Sequence, residues 1–132
     1  MPRPELAPGP FTLPGRKPIF VFGSDRGGRH GKGAALHAAT HHDALQGVGE
    51  GLTGFAYVIP TKDERLRVLP LSEVEKSITR FLAFARENPA LTFHLTPVGC
   101  EFEGYRRREV WAILGKWGVP PNVLLTSSWV TW

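Results

Sequence analysis

The stretch from Gly23 to Gly33 constrains this chain most, because it packs five glycines into eleven residues between two segments of opposite character. Before it stands the apolar run Ile19-Phe20-Val21-Phe22, which suits a strand buried on both faces. After it comes Ala34-Ala35-Leu36-His37-Ala38-Ala39, of helical composition. Strand, Gly-rich loop and helix in that order predict the opening of an α/β unit.

The rest of the chain continues the alternation. Phe55-Ala56-Tyr57-Val58-Ile59 reads as a second strand, closed by Pro60 and followed by the polar Thr61-Lys62-Asp63. Residues 47–54 are too glycine-rich for regular structure and read as a loop. A helix is predicted from Pro70: Ser72 and Glu75 stand at capping-box spacing, and Val74, Ile78, Phe81, Leu82 and Ala85 form one apolar stripe ending before Asn88-Pro89. Strands are expected over 92–98 and 122–125, a short helix over 106–114, and Trp129 at the end of the last strand. The predicted architecture is one α/β domain over 19–132, with a largely parallel or mixed central sheet flanked by helices.

Composition bounds the function classes. At 132 residues and 42% apolar, the chain supports one core. Six of its twelve prolines fall in the first 18 residues, so 1–18 is read as a Pro-rich arm. That segment lacks the apolar centre of a signal peptide, no run is long enough to span a bilayer, and a cytoplasmic location is expected. The single cysteine, Cys100, excludes an internal disulfide and any zinc site built on paired cysteines. A net charge of +4 favours an anionic ligand.

Ligands of open α/β sheets bind beyond the carboxyl ends of the strands, which directs attention to loops 23–33, 60–63 and 99–105. A Gly-rich loop entering a helix aims several backbone N–H groups at one point, an arrangement that suits phosphate, and Arg26, Arg29 and Lys32 add positive charge. The spacing is neither a P-loop nor a full dinucleotide fingerprint.

The ordered segments Ile19–Asp25, Gly28-Arg29-His30-Gly31, Gly49-Glu50-Gly51-Leu52, Ile59–Asp63, Gly99-Cys100 and Gly104-Tyr105 resemble a family of small phage-associated proteins of unassigned activity. That family in turn resembles macro domains. The resemblance implies a pocket for ADP-ribose or a related nucleotide, with some members hydrolysing ADP-ribosyl bonds and others only binding. It nominates Asp25 as the catalytic group, and Gly23, Ser24, Arg29, His30, Gly31, Gly33, Thr61, Lys62, Asp63, Gly99, Cys100, Gly104 and Tyr105 as ligand-binding residues. No metal or cofactor is implied. Two departures from the family pattern add negative charge: Asp25 replaces an asparagine, and Glu101-Phe102-Glu103 replaces a small, uncharged loop. Each unscreened carboxylate facing a pyrophosphate costs on the order of 1 kcal/mol.

Single residues carry competing readings. Asp25 orients a ribose hydroxyl or activates water, or closes its own turn. Glu50 is expected to buttress its loop through backbone N–H groups, and Tyr105 to pack on a base or ribose. His37 and His41, four apart with His42 beside them, suit zinc only with a further ligand, and a solvated histidine face is preferred. Arg106-Arg107-Arg108 and the four tryptophans raise an alternative, a non-enzymatic factor binding nucleic acid or protein.

Overall fold

The computed structural model describes residues 17–100 and 104–131. Its elements are β1 (Ile19–Asp25), α1 (Gly33–His41), β2 (Gly51–Thr53), β3 (Ala56–Lys62), α2 (Leu71–Glu87), β4 (Phe93–Leu95), α3 (Arg107–Trp117), β5 (Val123–Leu125) and α4 (Ser128–Thr131). They form a mixed α/β fold on one five-stranded sheet of order β2-β3-β1-β4-β5. β1 pairs in parallel with β3 and β4, β4 pairs in parallel with β5, and only β2 runs antiparallel, as a hairpin with β3. Among the described residues no helix is long and apolar enough to cross a membrane.

Strand alternation sends neighbouring side chains of β1 into two different cores. Val21 joins α2 and α3 in the larger one, and Phe22 joins α1 in the smaller one. The expected stripe on α2 is buried throughout, with Val74, Phe81, Leu82 and Ala85 fully inaccessible. Helix α1 presents only Ala35 and Ala38 as buried residues, and these small side chains let it lie close to β1 and β3.

Several boundaries differ from expectation. β1 runs through Gly23 and Ser24 to Asp25, so the first part of the expected loop is strand, with a bulge between Ser24 and Asp25. β3 does not stop at Pro60 but continues to Lys62. Proline is tolerated there because β2 pairs only as far as Val58, leaving that part of β3 without the hairpin partner. Within the expected loop 47–54, residues Gly51–Thr53 pair as β2. β4 ends at Leu95, and just beyond it Thr96 bonds the Val21 carbonyl through both its amide (3.1 Å) and its hydroxyl (2.7 Å).

The capping box expected on α2 is absent. Pro70 is the N-cap and makes no side-chain bond, while Glu75 instead accepts from Lys116 Nζ (2.9 Å) and Trp117 Nε1 (2.7 Å), tying α2 to α3. Half of a capping box occurs instead at α3, where the Arg106 amide donates to Glu109 Oε1 (3.0 Å) and the Glu109 amide returns only to the Arg106 backbone carbonyl (2.9 Å). Glu50 does not buttress its own loop, because Arg80 takes its carboxylate through two bonds of 2.6 and 3.0 Å. Trp129 lies on α4 rather than on a strand; its indole donates to the Leu95 carbonyl (2.8 Å) and its ring meets Trp111 edge-on. Residues 1–16 of the expected Pro-rich arm lie outside the described residues.

The histidines gather against β1. His42 stacks on Phe20 with ring centroids 4.6 Å apart, and His37 lies 5.1 Å from both rings. Burial, followed by the charges of His37, Lys17, His41 and His94, pushes His42 down to about 4. His37 and His94 are lowered as well, chiefly by burial. Among the described residues no group of three or more His, Cys, Asp or Glu side chains could hold a metal ion. A histidine whose folded pKa is depressed binds protons better when the chain is unfolded, so its stability contribution is complete above pH about 6.5 and falls as pH drops toward 4. Melting temperature should therefore decline between pH 7 and pH 5. His42→Phe, which keeps the stack on Phe20, should flatten that decline, measured by thermal denaturation across the pH series.

Candidate functional site

A cavity of about 390 Å³ opens beyond the carboxyl ends of β1, β3 and β4. Its position follows from topology. The connection after β1 leads to α1 on one face of the sheet, while those after β3 and β4 lead to α2 and α3 on the other. The loops diverge at β1 and leave a crevice between them.

The wall from the β1–α1 connection consists of Gly23, Ser24, Asp25, Arg29, Gly31, Lys32, Ala34 and Ala35. This segment is tightly held. Arg26 N–H donates to the Lys62 carbonyl (2.9 Å), Gly47 N–H to the Gly28 carbonyl (2.8 Å), and Gln46 clasps His30 at both its amide (2.8 Å) and its carbonyl (3.2 Å). Gly28 must be glycine for two reasons. Its φ is +72°, and a Cβ there would stand 2.4 Å from the backbone of Gly47 and Val48.

Asp25 is buried, 3% exposed, at the end of β1 and lines the cavity. Its carbonyl accepts from Gly28 N–H (2.9 Å) and its Oδ1 receives a long contact from Arg29 N–H (3.5 Å). The carboxylate thus partly closes its own turn while remaining on the cavity wall. Helix α1 begins here with no side-chain cap and no acidic residue in its first turn, so the positive end of its dipole is not neutralised by its own sequence. Arg29, Lys32 and Lys62 set three cationic side chains against the Asp25 carboxylate among the described lining residues.

The second wall is Thr61, Lys62, Leu66 and Val68 from the β3–α2 connection, and the third is Thr96–Gly99 with Gly104. Gly99, with φ +74°, lies under Tyr105, whose ring a Cβ would meet at 2.7 Å. That contact and a hydrogen bond from the Tyr105 hydroxyl to the Leu69 carbonyl brace the second and third walls against each other.

Of the residues nominated from sequence, Gly23, Ser24, Asp25, Arg29, Gly31, Thr61, Lys62, Gly99 and Gly104 come together on this cavity. The others are placed elsewhere. His30 is 1% exposed and points inward, its Nδ1 3.0 Å from Ser24 Oγ and its ring edge-on to Phe22. Ser24 Oγ also lies 3.2 Å from the Arg29 carbonyl, which can only accept. Giving the hydroxyl proton to that carbonyl makes His30 an Nδ1–H donor and leaves Nε2, which has no partner, as a bare lone pair. Buried, bonded through its ring to Ser24 and through its backbone to Gln46, His30 acts as a strut of the loop. Tyr105 is likewise a strut rather than a base platform; burial pushes its hydroxyl up to about 12. Cys100 is half-buried beside the core and is pushed up to about 11, chiefly by burial, so it stays a thiol. Gly33 starts α1 outside the lining.

Asp63 faces its own loop, accepting from Arg65 N–H (2.8 Å), Arg67 N–H (3.0 Å) and Arg67 Nε (2.9 Å). The backbone N–H of Arg67, then the other donors, hold this carboxyl below its usual range. Glu101 and Glu103 lie outside the described residues. Sequence reasoning missed the Gln46 clasp, which no local pattern signals. It also passed over Leu66 and Val68, although two apolar residues spaced two apart, one within and one just after the charged run Asp63–Arg67, were a readable cue.

No family model matches the sequence, and no curated protein matches it. Solved structures do. One from Bacteroides thetaiotaomicron, described as a protein of unknown function, is 13% identical over 86% of this chain and 88% of its own, with a TM-score of 0.57. This chain shares its fold. A second protein of that organism is 15% identical over 86% of this chain and 91% of its own, with a TM-score of 0.51. Identities this low speak for the sheet-and-helix framework alone.

The contrast between two glycines tests the wall. Gly28→Ala should destabilise the protein by about 2 kcal/mol or more in chemical denaturation, from backbone strain and collision together. Gly31→Ala, with nothing within 4 Å of the added Cβ, should stay within about 0.5 kcal/mol of the parent.

Proposed function

We propose that the cavity binds an ADP-ribose-type nucleotide. The observation that carries this reading is the meeting, on one cavity, of the uncapped start of α1, the side chains of Arg29, Lys32 and Lys62, and the buried carboxylate of Asp25. The α1 amides and the cations suit a diphosphate. A carboxylate held at 3% exposure beside them suits a ribose hydroxyl, which donates to it. The volume lies within the range of small-ligand sites, about 300–1,000 Å³.

Hydrolysis of an ADP-ribosyl bond is the activity this arrangement would support, with Asp25 accepting a proton from water or orienting the ribose, and the α1 amides and cations holding the diphosphate. A polynucleotide is less well served. Arg107 Nη1 is engaged by the carbonyls of Ser128 (3.0 Å) and Trp129 (2.9 Å), and Trp111 and Trp129 pack on each other.

Calorimetry with ADP-ribose at moderate salt should give saturable binding, weakened about tenfold by Arg29→Ala, the loss of one charge-assisted contact. Absence of binding at millimolar ligand, or steeper binding to DNA or RNA at low salt, would overturn the reading. Asp25→Asn separates the roles of the carboxylate. Tighter binding with lost turnover marks it as the catalytic group, whereas changed binding with turnover intact marks it as a binding group only.

A further inference from the structure

The β3–α2 connection contains an arrangement that the anion-binding wall does not explain. After β3 the chain folds back on itself. Asp63 N–H donates to the Arg67 carbonyl (2.8 Å), Leu66 N–H to the Asp63 carbonyl (3.0 Å), and Leu69 N–H to the Thr61 carbonyl (3.0 Å), with a bridge between Lys62 and Val68. The Asp63 carboxylate fills the inside of this turn with the three bonds already described. Together they hold Leu66 at φ +64°, a left-handed conformation that a bulky side chain adopts against its preference and that glycine or asparagine would accept readily.

What the turn achieves is presentation. Leu66 is 52% exposed and Val68 45% exposed, and both line the cavity. Arg29 and Lys32, supplied by a different connection, line the same cavity. The cavity lining is therefore amphipathic: its second wall carries the exposed Leu66 and Val68 beyond Lys62, and this apolar pair is held in place by an over-determined turn and by the Tyr105 brace at Leu69.

Building on the nucleotide reading above, we propose that Leu66 and Val68 form a platform for the aromatic base of the ligand, with Asp63 as the residue that positions it. A flat base has two apolar faces to remove from water, and an exposed aliphatic surface at the rim of a phosphate-binding cavity meets that need. A sugar phosphate without a base has nothing to place there.

Calorimetry with two probes, ADP-ribose and ribose 5-phosphate, tests this in the parent, Leu66→Gly, Asp63→Ala and Asp63→Asn. Glycine at position 66 fits the left-handed backbone, so Leu66→Gly should melt within a few degrees of the parent. Its affinity for ADP-ribose should fall about tenfold, as expected for the loss of roughly one side chain's buried apolar area, while ribose 5-phosphate should bind within about twofold of the parent. Asp63→Ala should reproduce that selective loss and Asp63→Asn, which keeps the acceptor for the backbone amides, should restore most of it. Unchanged ADP-ribose affinity in Leu66→Gly, or an equal fall for both probes, would overturn the platform while leaving the nucleotide site standing. Failure of the parent to bind either probe would overturn both.

Discussion

The structure depends on β1 being buried on both faces and paired on both edges. Val21 and Phe22 are each fully inaccessible, yet they belong to different cores, and β3 and β4 flank the strand in parallel. A strand in that position cannot slip its register without moving side chains from one core to the other. Its carboxyl end is consequently among the best-defined points in the molecule, and Asp25 stands there. Because β3 and β4 run the same way, their connections emerge beside it, and the cavity is the space left where those connections part.

Charge is distributed within that space rather than spread over the protein. Several surface carboxylates are already paired: Glu50 with Arg80, Glu73 with Arg26 and Lys76, Glu75 with Lys116. Such exposed pairs contribute little to stability individually. They do offset cations elsewhere, and Arg29, Lys32, Lys62 and Asp25 are the charged residues among the described lining of the cavity. The overall charge of +4 is thus a poor guide to the site, where the charges that line the cavity are what a ligand meets.

Much of the framework was legible in the sequence because it rests on local periodicity. The α2 stripe could be read residue by residue, and the order strand, glycine-rich loop, helix led to the correct fold class and to most of the cavity wall. What escaped was decided by tertiary partners. Pro60 reads as a terminator, yet it is harmless where the hairpin strand has ended. Ser72 and Glu75 have the spacing of a capping box, but Glu75 finds a lysine and an indole on α3. His30, Tyr105 and Asp63 sit in the right loops and still turn away from the cavity, because Ser24, Leu69 and the Arg65–Arg67 amides give them bonding partners. Side chains adjacent in sequence to a site are often what hold its walls, and only geometry separates those roles.

The central claim is that one anionic nucleotide occupies the cavity between the three connections. Following backbone amide resonances during titration with ADP-ribose tests it most directly. Shifts concentrated at Gly31–Ala35, Lys62–Val68 and Thr96–Gly99 are predicted. Shifts that gather instead around Arg106–Arg108 and Trp117, or no shifts at millimolar ligand, would contradict it.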